Sequence, residues 1–334
     1  MFTKNKIFNL FQSTKSRILV IALVVSAILP FIIGNSFLTH VLTLIVISSI
    51  YASSWNLLAT SGQGSLGHAA FLGIGGFTSA LLAIEPLGIP PIIGIFVGGF
   101  LSAGIGFLIG LTCVRLKAWF LAMVTFGFSV IAETLVSYFD DITHGILGFA
   151  PPILVPSGLP FYYLALIFAA VSIFAIFFIM KSKIGLALRA IHQNQAESGM
   201  IGINTAKYKL YAFVISTFFA GIAGGLNVYY LRYIRVSIFA AGNSFDPLMM
   251  SVIGGLGTIE GPILGAIMLV TIDSFLPDLD RFLPIINGIR VGSYLRFLGL
   301  GIFLVIVVIF LPKGISSLLR KIYNYFRTET KKGE

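Results

Sequence analysis

Apolar residues in this 334-residue chain come in long blocks rather than alternating with polar ones. The blocks run over 18–33, 37–59, 66–84, 92–111, 119–139, 161–180, 210–231, 247–276 and 295–311. A block of about 20 apolar residues reads as a helix crossing the hydrocarbon core, where a lone segment can satisfy its backbone groups only as a helix. The pattern predicts an all-α polytopic membrane helix bundle of about eight to ten transmembrane helices, including broken or re-entrant glycine-rich segments. The longest polar interval between blocks is 181–209. Within it Ile184, Leu188 and Ile191 recur at helical spacing, with Arg189, His192 and Gln193 turned away from them. Ser198-Gly199 and Gly202 interrupt that helix, and Asn204 or Thr205 can cap the next. The interval reads either as a short amphipathic helix and tight turn held at the membrane surface or as a solvated linker.

Charge then orients the blocks. Residues 1–17 carry Lys4, Lys6, Lys15 and Arg17 and no acid; 181–209 carries Lys181, Lys183, Arg189, Lys207 and Lys209 against Glu197 alone. Lys313, Arg320, Lys321, Arg327, Lys331 and Lys332 follow the last block. Lys and Arg concentrate in cytoplasmic loops, so these three regions are expected inside, and 140–160, which opens on Asp140 and Asp141, outside. The expected organisation is a basic cytoplasmic N-terminal segment 1–17, a transmembrane domain 18–312, and a basic tail 313–334. In that tail Ile315, Leu318, Leu319, Ile322 and Phe326 mark an interfacial helix. A basic start before an apolar run also fits a signal peptide, but the run is long and no A-x-A site follows it.

Counting crossings exposes a parity problem. Block 210–231 leads outward, yet 295–311 must end inside and so begin outside. Block 247–276 must then leave and return on one side. Gly254-Gly255-Leu256-Gly257 sits where it would break. Two half-length helices or a re-entrant hairpin satisfy the charge rule; the alternative is a tilted pair of full crossings turning at 254–260.

Composition narrows the class. With 57% apolar and 10% charged residues and a mean hydropathy of +1.00, a soluble domain is excluded. A net charge of +10 beside so much apolar sequence points to anionic membrane lipid, not nucleic acid. The single cysteine, Cys113, excludes an internal disulfide and any cysteine-based metal cluster, and no GxxxxGK[ST] occurs, so the chain has no P-loop of its own. No catalytic, cofactor or metal site is expected. Gly94, Gly98, Ser102, Gly106 and Gly110 recur every fourth residue, as do Gly257, Gly261 and Gly265, and Thr217, Gly221 and Gly225. Such rows let helices approach closely in lipid. Intramembrane ionisable residues are few: His68, Glu133 and Asp273. They are too few for an ion relay. His68 lies among glycines at 62, 64, 67, 73, 75 and 76 and reads as a structural histidine bonded to neighbouring backbone or as a substrate ligand.

Four blocks carry a family resemblance. SGQGSLGHAAFLGIGGFTSALL (61–82), RLKAWFLAMVTFGFSVI (115–131), the stretch 182–226 and FDPLMMSVIGGLGTIEGPILGAI (245–267) resemble, in order, segments of LivM-type permeases, the membrane subunits of branched-chain amino acid ABC importers. Ala118 stands where a glycine is usual, His144 replaces the first glycine of a Thr-Gly-Gly, and His192-Gln193-Asn194-Gln195 replaces mostly charged residues. The resemblance implies a transport subunit, not an enzyme, in a bacterial cytoplasmic (inner) membrane. It implies as partners two cytoplasmic ABC ATPases, a LivH-like sister permease and a periplasmic or lipid-anchored substrate-binding protein. It makes 181–209 a coupling helix, with Ile184, Leu188 and Ile191 expected in an ATPase groove, Arg189 and His192 reaching its acidic groups, and Gly202 turning the chain back. It places Gly64, Ser65, His68, Thr125, Gly254, Gly255 and Gly257 along the translocation path. Urea or short-amide permeases share the resemblance, and an ion-coupled secondary transporter is the alternative from another class.

Overall fold

A computed structural model describes residues 14–156 and 158–275, together with short stretches between 285 and 318. The segment before Thr14 and most of 295–311 and of the 313–334 tail lie outside the described residues. Apart from one short antiparallel pair, Ile285–Ile286 with Ile289–Arg290, the regular elements are helices: α1 (Thr14–Ile33), α2 (Ser36–Ala59), α3 (His68–Ala83), α4 (Pro91–Cys113), α5 (Ala118–Tyr138), α6 (Asp140–Thr143), α7 (Leu159–Lys181), α8 (Lys183–Gln193), α9 (Gln195–Met200), α10 (Thr205–Leu231), α11 (Ala241–Gly254) and α12 (Gly261–Phe275). A 3₁₀ turn, Val236–Phe239, precedes α11. Among the described residues α2, α4, α5, α7 and α10 are long and apolar enough to cross a membrane.

Two blocks depart from single full crossings. Block 66–84 yields a helix of only 16 residues, roughly 24 Å at 1.5 Å per residue, because irregular backbone occupies 60–67 ahead of it. Block 247–276 resolves into α11 and α12, of 14 and 15 residues. Irregular backbone at 255–260 separates them, so the block breaks at its glycines, an arrangement that both sequence readings share. The halves pack on each other because glycines meet: a Cβ on Gly254 would overlap the Gly261 carbonyl, and one on Gly265 would overlap that of Met250.

The bundle is organised around α2 and α10. Along α4 the row Gly94, Gly98, Ser102, Gly106 and Gly110 is buried. Gly94 abuts Ser79 and Gly98 abuts Gly75 on α3, while Gly106 abuts Thr217 and Gly110 abuts Leu210 on α10. Gly221 and Gly224 of α10 meet Ser102 and Leu72 in the same way. Hydrogen bonds lock the contact: Ser102 Oγ donates to the Phe71 carbonyl at 3.0 Å and Tyr229 OH to that of Ser79 at 2.8 Å.

Among the described residues two helices contain an internal proline, Pro30 in α1 and Pro247 in α11. Proline has no N–H, so the carbonyl four residues earlier loses its helical donor. In both cases a tyrosine from another helix replaces it. Tyr162 OH donates to Ser26 O at 2.7 Å, and Tyr51 OH to Asn243 O at 2.9 Å.

Candidate functional site

Two irregular segments flank the second half of α2. The first, 60–67, is mostly buried, so its polar backbone must be answered by protein. Trp55 Nε1 donates to Ser65 O at 2.8 Å, Ser61 Oγ bonds Leu58 O at 2.7 Å, and Leu66 N donates to Thr125 Oγ1 at 3.2 Å. Gly67 lies flush on α5, where a Cβ would overlap the Thr125 carbonyl. Thr125 thus meets the segment at Leu66 and Gly67, Ser65 is held by Trp55, and Gly64 has open space beside it.

The second segment joins α11 to α12. Gly255 and Gly257 have φ of 125° and 72°, the left-handed half of the map that favours glycine. Asn56 of α2 clamps the turn: its Nδ2 donates to Thr258 O at 2.7 Å and its Oδ1 accepts from Gly257 N at 2.8 Å. The opposite amide orientation would set donor against donor, so the network fixes the assignment. Thr258 Oγ1 closes the turn from inside, donating to Gly255 O at 2.7 Å and accepting from Gly261 N at 3.0 Å. Leu256 and Gly257 are exposed at the tip.

His68 opens α3 between these segments and is fully buried. Its Nε2 lies 2.9 Å from Ser54 Oγ, and Ser54 Oγ also lies 2.7 Å from the Tyr51 carbonyl, which can only accept. The one hydroxyl proton is therefore committed to Tyr51, and His68 must donate through Nε2–H. That leaves Nδ1 as an acceptor with no partner among the described residues. The ring stacks on Tyr51 with centroids 5.3 Å apart. His68 is thus held by a side-chain hydroxyl and an aromatic face rather than by neighbouring backbone. Glu133 and Asp273 are half-buried on α5 and α12. Among the described residues no group of three or more His, Cys, Asp or Glu could hold a metal.

Above Tyr51 a cavity of about 420 Å³ opens at the end of α10 remote from 181–209. Its walls come from α2, α3, α10, the 3₁₀ turn and α11, and it carries both Arg235 and Asp246. Neither residue stood out in the sequence, since a bend separates them and no spacing rule joins them.

The 181–209 interval is an elbow of helices. Ser182, Asn194 and Asn204 cap α8, α9 and α10 in turn, accepting from Ile184 N, from Ala196 N and Glu197 N, and from Lys207 N. Gly202 has a φ of 88° at the turn and open space around it. The apolar face of α8 points into the chain itself: Leu188 is 0% and Ile191 3% exposed, and Ile184 packs against the main core. These residues were expected in a partner's groove; the bundle's own core fills that role. Arg189 likewise serves the chain, donating from Nη2 to Met180 O at 2.7 Å and from Nε to Gly185 O at 3.2 Å, where it caps the end of α7. His192 is exposed and lies beside Gly62 of the first irregular segment, so elbow and segment touch. What the elbow exposes instead is Leu186 at 61%, Met200 at 80% and Ile201 at 76%.

The family model described as "Branched-chain amino acid transport system / permease component" matches residues 37–307. The high-affinity branched-chain amino acid transport system permease protein LivM of Escherichia coli is 27% identical over 341 residues, covering 92% of this chain and 77% of that one. The probable branched-chain amino acid transport permease protein LivM of Methanocaldococcus jannaschii is 24% identical, covering 73% and 77%. A LivH permease protein of the same archaeon is 31% identical over 103 residues, 29% of this chain and 30% of that one. No solved structure matches. The family match spans both irregular segments and the elbow, and the chain belongs to the family of branched-chain amino acid transport system permease components.

Proposed function

We propose that this chain is the permease subunit of an ATP-binding-cassette importer for branched-chain amino acids in a bacterial cytoplasmic membrane. It pairs with a LivH-like sister permease across the path. A binding protein delivers substrate from outside, and two ATPases dock inside. The irregular segments, with Gly64, Ser65, His68 and Thr125 on one and Gly254, Gly255 and Gly257 on the other, line that path.

The observation that carries this reading is the elbow. A transport subunit without chemistry of its own must receive energy by contact. Leu186, Met200 and Ile201 are large apolar side chains exposed among basic and polar residues, which suits docking into an apolar groove with a polar rim. Arg189 and the buried Leu188 make the elbow rigid with the bundle, so a push on the exposed side reaches Gly62 through His192.

The test is the reconstituted complete importer. Leu186→Asp with Ile201→Asp should leave the permease folded yet abolish leucine uptake and uncouple ATP hydrolysis from loaded binding protein. Leu188→Asp should unfold the elbow instead and lower the yield of permease. Full uptake in the double variant would show that the ATPases engage another surface.

A further inference from the structure

We infer that the cavity above Tyr51 is a binding subsite for a free zwitterionic amino acid with an aliphatic side chain, entered from the side opposite the elbow. The inference rests on the importer reading and adds to it the place and chemistry of the substrate contact.

The walls divide by chemistry. Arg235 supplies the cation. Its Nε is held by Ser237 Oγ at 2.8 Å, and its terminal nitrogens make no other hydrogen bond among the described residues. A guanidinium fixed at Nε presents a fork suited to a carboxylate. Asp246 supplies the opposite charge. Asn243 adds an acceptor, because both its N–H groups are spent, on Ser237 O and Ile238 O at 3.0 Å each. An α-ammonium needs acceptors of this kind. Ile47, Leu72 and Met250 also line the cavity and offer apolar surface to a branched aliphatic chain.

One cation and one carboxylate in the same cavity favour a ligand carrying both charges over a simple anion, a simple amine or a neutral amide. About 420 Å³ sits toward the small end of the roughly 300–1,000 Å³ that holds small ligands. The floor is informative too. Tyr51 lines the cavity, stacks on His68 and bonds the Asn243 carbonyl that Pro247 leaves without a donor. An occupant therefore rests on the residue that joins α2, α3 and α11, the elements bearing both irregular segments.

The experiment uses the complete importer in proteoliposomes, with Ser48→Cys in a Cys113→Ala background, since Ser48 lines the cavity. Modification by a membrane-impermeant thiol reagent added outside is followed with millimolar L-leucine, L-leucinamide (no carboxylate) or 4-methylpentanoate (no ammonium). Leucine should slow modification severalfold and the two analogues should not. Arg235→Gln or Asp246→Asn, added to the reporter, should each abolish protection, and Arg235→Lys should restore part of it. Equal slowing by all three compounds, no slowing by leucine, or no modification while Leu231→Cys at the rim reacts would each overturn the subsite. Leucine uptake driven by the binding protein is measured in the same vesicles. Uptake without protection refutes the subsite alone, whereas protection without uptake refutes the importer reading and leaves the subsite standing.

Discussion

The α3–α4–α10 contact and the two irregular segments beside α2 are both rich in glycine, and their glycines do opposite work. In the first, none of Gly94, Gly98, Gly106 or Gly110 has a positive φ; each is small so that a neighbouring helix can come close, through its backbone at Gly94 and Gly98 and through the Thr217 and Leu210 side chains at Gly106 and Gly110. In the second, Gly62, Gly255 and Gly257 take positive φ, and polar side chains answer the backbone they distort. Lipid offers no hydrophobic drive between helices, so close dispersion contact holds the first region. Hydrogen bonds hold the second, made by Asn56, Trp55 and Thr258. The first region is built to stay closed. The second leaves its tip, Leu256 and Gly257, exposed.

The sharpest break in that contrast is Gly98→Leu. Its new side chain meets the Gly75 backbone, which itself rests on Gly221, so nothing can move aside. The expected loss is about 3 kcal/mol or more, read as the shift in the unfolding midpoint in mixed detergent. Leu108→Ala, on the exposed side of α4, should be nearly silent. Ile95 would be a poor control: it lies off the small-residue row yet is fully buried against Gly225. Equal losses at Gly98 and Leu108 would dissolve the distinction between the faces of α4.

Next in size is Asn56→Ala, which frees Thr258 O and Gly257 N together. The turn is partly exposed and water can reach some of it, so the cost should be about 1–3 kcal/mol, below that of Gly98→Leu. If the turn borders the path as proposed, uptake should fall further than stability does. Asn56→Asp keeps the acceptor for Gly257 N and loses the donor to Thr258 O, so it should fall between. A variant with full stability and full uptake would mean that the glycines alone hold the turn.

Much of this was legible in the sequence, and the gaps have physical causes. The apolar blocks placed the long helices, and the parity of basic loops located a break at Gly254–Gly257 that hydropathy alone would have smoothed over. Periodicity identified the face made by Ile184, Leu188 and Ile191 but could not say what it packs against, because a core and a partner's groove ask for the same residues. Asn56 and Tyr51 sit inside apolar block 37–59, where one amide or phenol barely alters a hydropathy window. Pro30 and Pro247 did carry a usable signal: a proline within a membrane block orphans a carbonyl, and a tyrosine on another block can answer it.

Those tyrosines give a smaller test of the same contrast. Tyr162→Phe and Tyr51→Phe each remove one donor from a carbonyl that proline has already deprived, at a cost of about 1 kcal/mol apiece. The stability losses should match, since the bonds are alike. Uptake should not. Tyr162 braces α1 at the edge of the bundle, while Tyr51 forms the cavity floor, so only Tyr51→Phe should slow uptake. Equal uptake in the two variants would separate the floor from transport.

The smallest effect is expected at Gly64, and it is the most discriminating. Gly64 and Gly67 belong to one glycine-rich stretch and look interchangeable in sequence. Gly67 presses on the Thr125 carbonyl, so Gly67→Ala forces α5 away. Gly64 has no atom within 4 Å of where a Cβ would stand, and its φ is not positive. Gly64→Ala should therefore leave stability within about 0.5 kcal/mol of the parent. If the open space beside Gly64 belongs to the path, Gly64→Leu should also be stable and yet block uptake, because the new side chain fills room that substrate needs. If that space faces lipid, Gly64→Leu should be stable and fully active. A stable, inactive Gly64→Leu beside an unstable Gly67→Ala would assign one glycine to the path and the other to packing, three residues apart on the same turn.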